Sequence, residues 1–223
     1  MSRATTFLAL ASLGSMAAIL ALLSSGFQGA SREGLMGFGD PVLALEFAES
    51  RETLDQLLAA GKTEAAARQA LLWVQRVDIF FPLFYGGLLA SLGLAGCSPR
   101  HRGIVVSAAI LAIGFDVFEN DRIARVLAGD CGPACFRTLA FAARAKFSAI
   151  AVASLGLVPA VWSRSDRWRW ASVLGVLASA LLALGNWKPE RAVQSGMTAL
   201  SLWLFVLVVL LWRSERPPAT TES

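Results

Sequence analysis

The chain has 223 residues, of which 56% are hydrophobic and only 16% charged, with a formal net charge of +4. That is more apolar and less charged than a soluble domain, and the length accommodates several stretches of about 20 apolar residues, each able to cross a bilayer core of roughly 30 Å. It leaves no room for a second soluble domain, and the basic residues fall in short clusters between apolar runs. Those clusters act as topology signals and exclude nucleic acid as a partner.

A single histidine, His101, and three cysteines exclude haem held by paired histidines, a three-histidine zinc centre and a histidine-rich di-iron site. No metal and no other cofactor is expected. Ser-His-Asp and Cys-His catalysis lack support, because His101 lies in the basic loop Pro99-Arg100-His101-Arg102, far in depth from the acidic residues described below. No phosphate-binding loop occurs.

In chain order, Phe7 to Leu23 is an uninterrupted apolar run behind Arg3. It reads as a retained first transmembrane helix (residues 1–26), the alternative being a signal peptide whose best cleavage residues, Ser24 and Gly26, match the usual pattern weakly. Residues 27–70 form an extracytoplasmic loop and an amphipathic helix. Asp40-Pro41 supplies an N-cap followed by proline at the first helical position, and Gly61 ends the helix. Its alternation of Val42, Leu43, Phe47 and Leu54 with Glu46, Glu49, Arg51 and Asp55 suits a membrane or partner surface. A further helix starts near Thr63 and runs through Trp73 into the apolar stretch Ile79 to Gly96. Spans then follow over Ile104 to Arg125, Leu139 to Val161, Trp170 to Trp187 and Val193 to Trp212. The expected fold class is therefore an all-α polytopic membrane bundle of about six transmembrane helices plus the amphipathic helix. Residues 71–212 hold five of the six, and 213–223 form a polar, disordered cytoplasmic tail.

Arginines cluster at Arg3, Arg100, Arg102, Arg164, Arg167, Arg169, Arg213 and Arg216, on one side of the bundle, whereas the basic residues on the other side are accompanied by acids. The positive-inside rule then places both termini in the cytoplasm of a bacterial inner-membrane protein. Cys131 and Cys135 fall outside, where a disulfide persists, and Cys97 falls inside, where thiols stay reduced.

Ionisable residues inside the spans are the candidate site. Asp78 opens the second span, Asp116, Glu119 and Asn120 lie in the outer half of the third, and Lys146 lies in the outer third of the fourth. Positions 116, 119 and 120 share a helical face, as do Asp78 and Tyr85, seven apart. Charges within a bilayer normally face a bundle interior or a wet cavity. They read as an outward-facing site binding a small molecule or cation. The structural alternative is a closed network in which Lys146, with Arg76, Arg122 or Arg144, neutralises the carboxylates and pins the helices together. Gly86, Gly87, Gly93, Gly175 and Ser179 are expected to serve close helix packing.

Leu45-Glu46-Phe47-Ala48, then Asp78 with Phe81-Pro82-Leu83-Phe84-Tyr85, then Asp116-Val117-Phe118-Glu119-Asn120, then Lys146 together resemble a group of small uncharacterised bacterial polytopic membrane proteins over about Pro41 to Val161. The resemblance implies that Glu46 joins the cluster and implies no mechanism. The expected function is small-molecule or ion binding or transport. The alternatives are a lipid-modifying membrane enzyme using the carboxylates, or a non-catalytic scaffold subunit. The sequence decides neither whether the protein is an enzyme nor its oligomeric state.

Overall fold

A computed structural model describes Phe27, Leu35 and residues 37–163, 166–185 and 188–214. The expected first transmembrane helix, Phe7 to Leu23, and the tail beyond Ser214 lie outside the described residues. Within them the chain is all-helical, with eight helices in sequence.

Helix α1 (Pro41–Glu46) starts where Asp40 accepts a hydrogen bond from the Val42 N–H at 2.7 Å, with Pro41 at the first position, as the Asp-Pro pair predicts. The expected single amphipathic helix up to Gly61 is interrupted, however. At Ser50 the backbone turns extended and the hydroxyl accepts from the Thr53 N–H at 3.2 Å, starting α2 (Arg51–Ala59). A serine that can bond its own downstream backbone competes with helix continuation. The two pieces also differ in burial. Helix α1 is buried nearly throughout, whereas α2 is amphipathic, hiding Leu54, Leu57 and Leu58 and exposing Arg51, Glu52 and Asp55.

Helix α3 (Glu64–Asp78) is capped by Thr63, whose hydroxyl accepts from the Ala66 N–H at 3.1 Å. It runs into α4 (Phe81–Gly96) as one bent 33-residue rod. The bend has a local cause: Pro82 has no N–H to offer the Asp78 carbonyl four residues back, and its ring crowds that oxygen. Helix α5 (Pro99–Ala128) ends at Gly129, whose φ of 85° is left-handed and closes the last turn. Helices α6 (Pro133–Trp162), α7 (Asp166–Leu184) and α8 (Pro189–Ser214) complete the chain. Three of these elements are long and apolar enough to cross a membrane, namely the α3–α4 rod, α5 and α6. Helices α7 and α8 cover the residues expected to form the fifth and sixth spans, and neither is among the three elements that qualify by length and apolarity within the described residues.

Each long helix packs on its sequence neighbour, α4 on α5, α5 on α6, α6 on α7 and α7 on α8, and α4 also reaches α6. Small residues allow these approaches. A Cβ added at Gly93 or at Gly156 would sit 2.7 Å from a methyl of Val105, so the valine of α5 is seated between glycines of α4 and α6. Gly86 receives Ile113, and Gly175 receives the fully buried Trp203, in line with the packing role expected for them. Trp73, Trp162 and Trp170 are exposed, but Trp168 is buried.

Helices α5 and α6 have 30 residues each, or about 45 Å at 1.5 Å per residue, well beyond the roughly 30 Å of a bilayer core. Around their shared end α1 packs on α5, α6 and α8, and α3 packs on α5. There the Arg68 guanidinium donates to the Leu127 carbonyl in the last turn of α5. The same turn places Cys131 and Cys135 at disulfide distance, Cα–Cα 5.5 Å, while Cys97 is a buried free thiol at the opposite end.

Candidate functional site

A carboxylate is tolerated inside a packed bundle only where something replaces the water it loses, so the partners of each acidic group decide what it can do. All seven expected residues converge. Glu46 comes from the end of α1, Asp78 from the end of α3, Tyr85 from α4, Asp116, Glu119 and Asn120 from one face of α5, and Lys146 from α6. Lys146 and all four carboxylates are buried, with exposure falling from 8% at Asp78 through 5% at Glu46 and 3% at Asp116 to 0% at Glu119. Asp78, at the proline bend, is thus the outermost point of the acidic set. Asp116 and Lys146 lie within about one turn of the midpoints of α5 and α6, deeper than the sequence position alone suggests.

The cluster divides in two. In one half the Lys146 ammonium is 3.0 Å from Glu46 Oε1 and bonds Glu119 Oε1 at 3.0 Å, with Glu119 Oε2 at 2.9 Å but outside hydrogen-bond geometry. One cation therefore serves two glutamates, and Glu46 Oε2 and Glu119 Oε2 are buried without a donor. Burial holds the Glu46 carboxyl above the ordinary carboxylate range, against the opposing pull of the Lys146 ammonium. In the other half, Tyr85 donates its hydroxyl to Asp116 Oδ2 at 2.8 Å, and Asn120 reaches Asp116 Oδ1 at 3.5 Å. Asp78 lies beside this pair, with the Asn120 side chain as its hydrogen-bonding neighbour. Asp116 and Asp78 thus have neutral hydrogen-bond partners, and neither is within ion-pair distance of a cation among the described residues, although the Lys146 charge still acts on both across the cluster.

The arginines expected as neutralisers go elsewhere. Arg144 pairs with Glu49 at 2.6 Å on the rim, Arg122 pairs with Asp121 and lies over Phe118, and Arg76 lies over Trp73. The closed network in its full form is therefore not what the chain builds. Four carboxylates face one ammonium. Among the described residues no group of three or more histidine, cysteine or acidic side chains has the geometry to hold a metal ion.

Sequence reasoning missed the cover over this site. Phe38, Phe47 and Phe147 stack in a ladder, with centroids 5.7 and 6.0 Å apart, and the ladder ends beside Lys146, whose ammonium is 4.7 Å from the Phe147 ring centroid. Phe38 precedes α1, and Phe47 follows it directly. The only available signal was the bracketing of Glu46 by aromatics, since no periodicity links these positions to 147. Comparison with known protein families, with curated proteins and with solved structures finds no match to this chain.

Proposed function

We propose that the protein is a bacterial inner-membrane bundle of six transmembrane helices whose buried acidic site binds a proton or a small monovalent cation at Asp78 and Asp116. One observation carries this reading: Lys146 is taken up by Glu46 and Glu119, which leaves two further buried carboxylates whose partners are the neutral Tyr85 and Asn120. Two negative charges in a low-dielectric interior recruit positive charge from outside or take up protons. The neighbouring oxygens of Tyr85 and the Ala112 carbonyl, 3.3 Å from the Tyr85 hydroxyl, are hard donors of the kind that suit a dehydrated alkali cation or a proton rather than a soft metal. The exposure gradient from Asp78 inward supplies the direction of approach.

The arginine asymmetry supports a topology with both termini in the cytoplasm. The Cys131 and Cys135 pair at the α5–α6 turn then falls on the oxidising side, together with the cap of α1 and α2, and the Cys97 thiol falls on the reducing side.

The test is thermal unfolding of the purified full-length protein in lithium, sodium, potassium and choline chloride at constant ionic strength, repeated across pH. A ligand held at 100 times its dissociation constant stabilises by about 2.7 kcal/mol. That stabilisation, by one of the cations or by protons, should be lost in Asp116→Asn and Asp78→Asn. A response that survives both substitutions, or its absence from the parent protein, removes the ion-binding reading. Strong destabilisation by Asp116→Asn with no ion response points to the scaffold alternative.

A further inference from the structure

Beyond the Asp78 and Asp116 half, the Glu46–Lys146–Glu119 triad contains two buried acceptors without donors, and both are carboxylate oxygens, Glu46 Oε2 and Glu119 Oε2. Both residues are at least nine-tenths buried. Their carboxyl groups converge on one ammonium, with Glu46 Oε1 and Glu119 Oε1 each 3.0 Å from Lys146 Nζ and Glu119 Oε2 2.9 Å from it but outside hydrogen-bond geometry. With both ionised, the triad carries one uncompensated negative charge, and two like charges face each other at a point where water is excluded. A single proton removes both defects. It makes one carboxyl a donor to the other, satisfies the two orphaned oxygens together, and brings the triad to neutrality with Lys146.

We propose that Glu46 and Glu119 share one proton above Lys146, and that this proton is what keeps α1 closed over the site. The two carboxyls belong to elements that are far apart in the chain, since Glu119 is fixed in the second half of α5 and Glu46 ends the six-residue α1. Closure of α1 therefore runs through this contact. Its other attachments are the buried apolar side chains of Val42, Ala44 and Leu45, the Glu49–Arg144 ion pair on the exposed rim, the Gly39 N–H to Gln194 Oε1 bond at 3.0 Å, and the phenylalanine ladder. When the proton leaves for solvent as pH rises, Glu46 and Glu119 repel one another and Lys146 cannot neutralise both, so α1 lifts. The other titratable groups that bear on the pair are Asp116 from α5, Asp78 from α3 and Tyr85 from α4. Asp116 and Asp78 add negative charge when ionised, which favours retention of the proton.

The sign follows from linkage. A carboxyl held above its ordinary value in the closed state binds its proton more tightly there. Closure is therefore favoured in full below the ordinary glutamate value of 4.5 and weakens as pH rises through the raised value. Proton sharing by Glu46 and Glu119 does not require ion binding at Asp78 and Asp116, and either can be absent without the other.

The experiment is hydrogen–deuterium exchange of the full-length protein in nanodiscs over a pH series, read at backbone amides 42–50 and normalised to intrinsic exchange. Protection in the parent protein should fall with rising pH by up to about tenfold per pH unit, the response of a one-proton equilibrium. In Glu46→Gln and Glu119→Gln the amide N–H donates permanently in place of the proton, so protection should stay flat across the series. Glu119→Gln lies on a different helix from α1 and carries the test if Glu46→Gln fails to fold. Asp116→Asn should keep a pH-dependent profile. Parent protection that does not change with pH, or Gln variants that follow the parent profile, overturns the proposal. A profile flattened by Asp116→Asn but not by Glu119→Gln overturns it as well, by placing the proton on Asp116.

Discussion

Lys146 is the residue on which the two halves of the acidic cluster differ, because it contacts Glu46 and Glu119 and leaves Asp116 to Tyr85 and Asn120. Removing it leaves two glutamates buried without their cation. Lys146→Met should therefore cost about 3–5 kcal/mol in thermal or denaturant unfolding at neutral pH, with much of the loss recovered as pH is lowered and the glutamates protonate. Glu119→Gln is a different case. Lys146 keeps Glu46, so the substitution should change stability by less than about 1 kcal/mol, of the order of a single neutral hydrogen bond, and comparable losses from the two variants would contradict the asymmetry. Asp78, Asp116, Glu119, Asn120 and Lys146 were legible in the sequence because polar groups inside apolar runs are costly and therefore informative. Which carboxylate Lys146 chooses was not legible. The separation of Glu46 from Lys146 in the chain offers no rule for their pairing.

The helix starts at Asp40 and Thr63 were readable, because a side chain does the capping there. Asp40, Ser50 and Thr63 each accept a hydrogen bond from a backbone N–H two or three residues on, and Ser50→Ala should cost about 1 kcal/mol, measurable as a lowered denaturant midpoint. The break at Ser50 was nonetheless hidden, because the apolar pattern on either side of it suits one helix as well as two. Packing between helices is more demanding. Val105 sits against Gly93 and Gly156, where even a Cβ would come within 2.7 Å. Overfilling such a site forces side-chain and backbone shifts costing about 1–3 kcal/mol. Gly156→Val and Gly93→Val should thus each lower the unfolding temperature, whereas Gly103→Val and Gly114→Val, at positions with no neighbour within 4 Å, should be tolerated far better.

At the scale of the whole molecule, the long helices α5 and α6 project past the thickness of a bilayer core, and α1 to α3 gather around that projection. The proposed topology puts this capped end outside the cell and the Ser98 end inside. A membrane-impermeant thiol reagent applied to intact cells should label Lys62→Cys, at the exposed turn between α2 and α3, and should spare Ser98→Cys at the exposed start of α5. The reverse pattern inverts the topology and puts the Cys131–Cys135 turn in a reducing compartment.

Composition and the placement of polar residues were enough to anticipate the helical fold of the described residues, most of its helix boundaries, the presence of helices able to cross a membrane, and the members of the acidic cluster other than Glu46. Each of these depends on free energies that act along a single stretch of chain, such as the transfer of apolar side chains, capping by a nearby oxygen, and the loss of an N–H at proline. Tertiary structure alone decided that α1 is a buried cap rather than a surface helix, that Arg144 pairs with Glu49 on the rim, and that Lys146 is divided between two glutamates. Those outcomes compare competing partners brought together from distant parts of the chain. Which partner wins depends on distances of a few ångströms and on which groups lose their water, neither of which is set by sequence spacing.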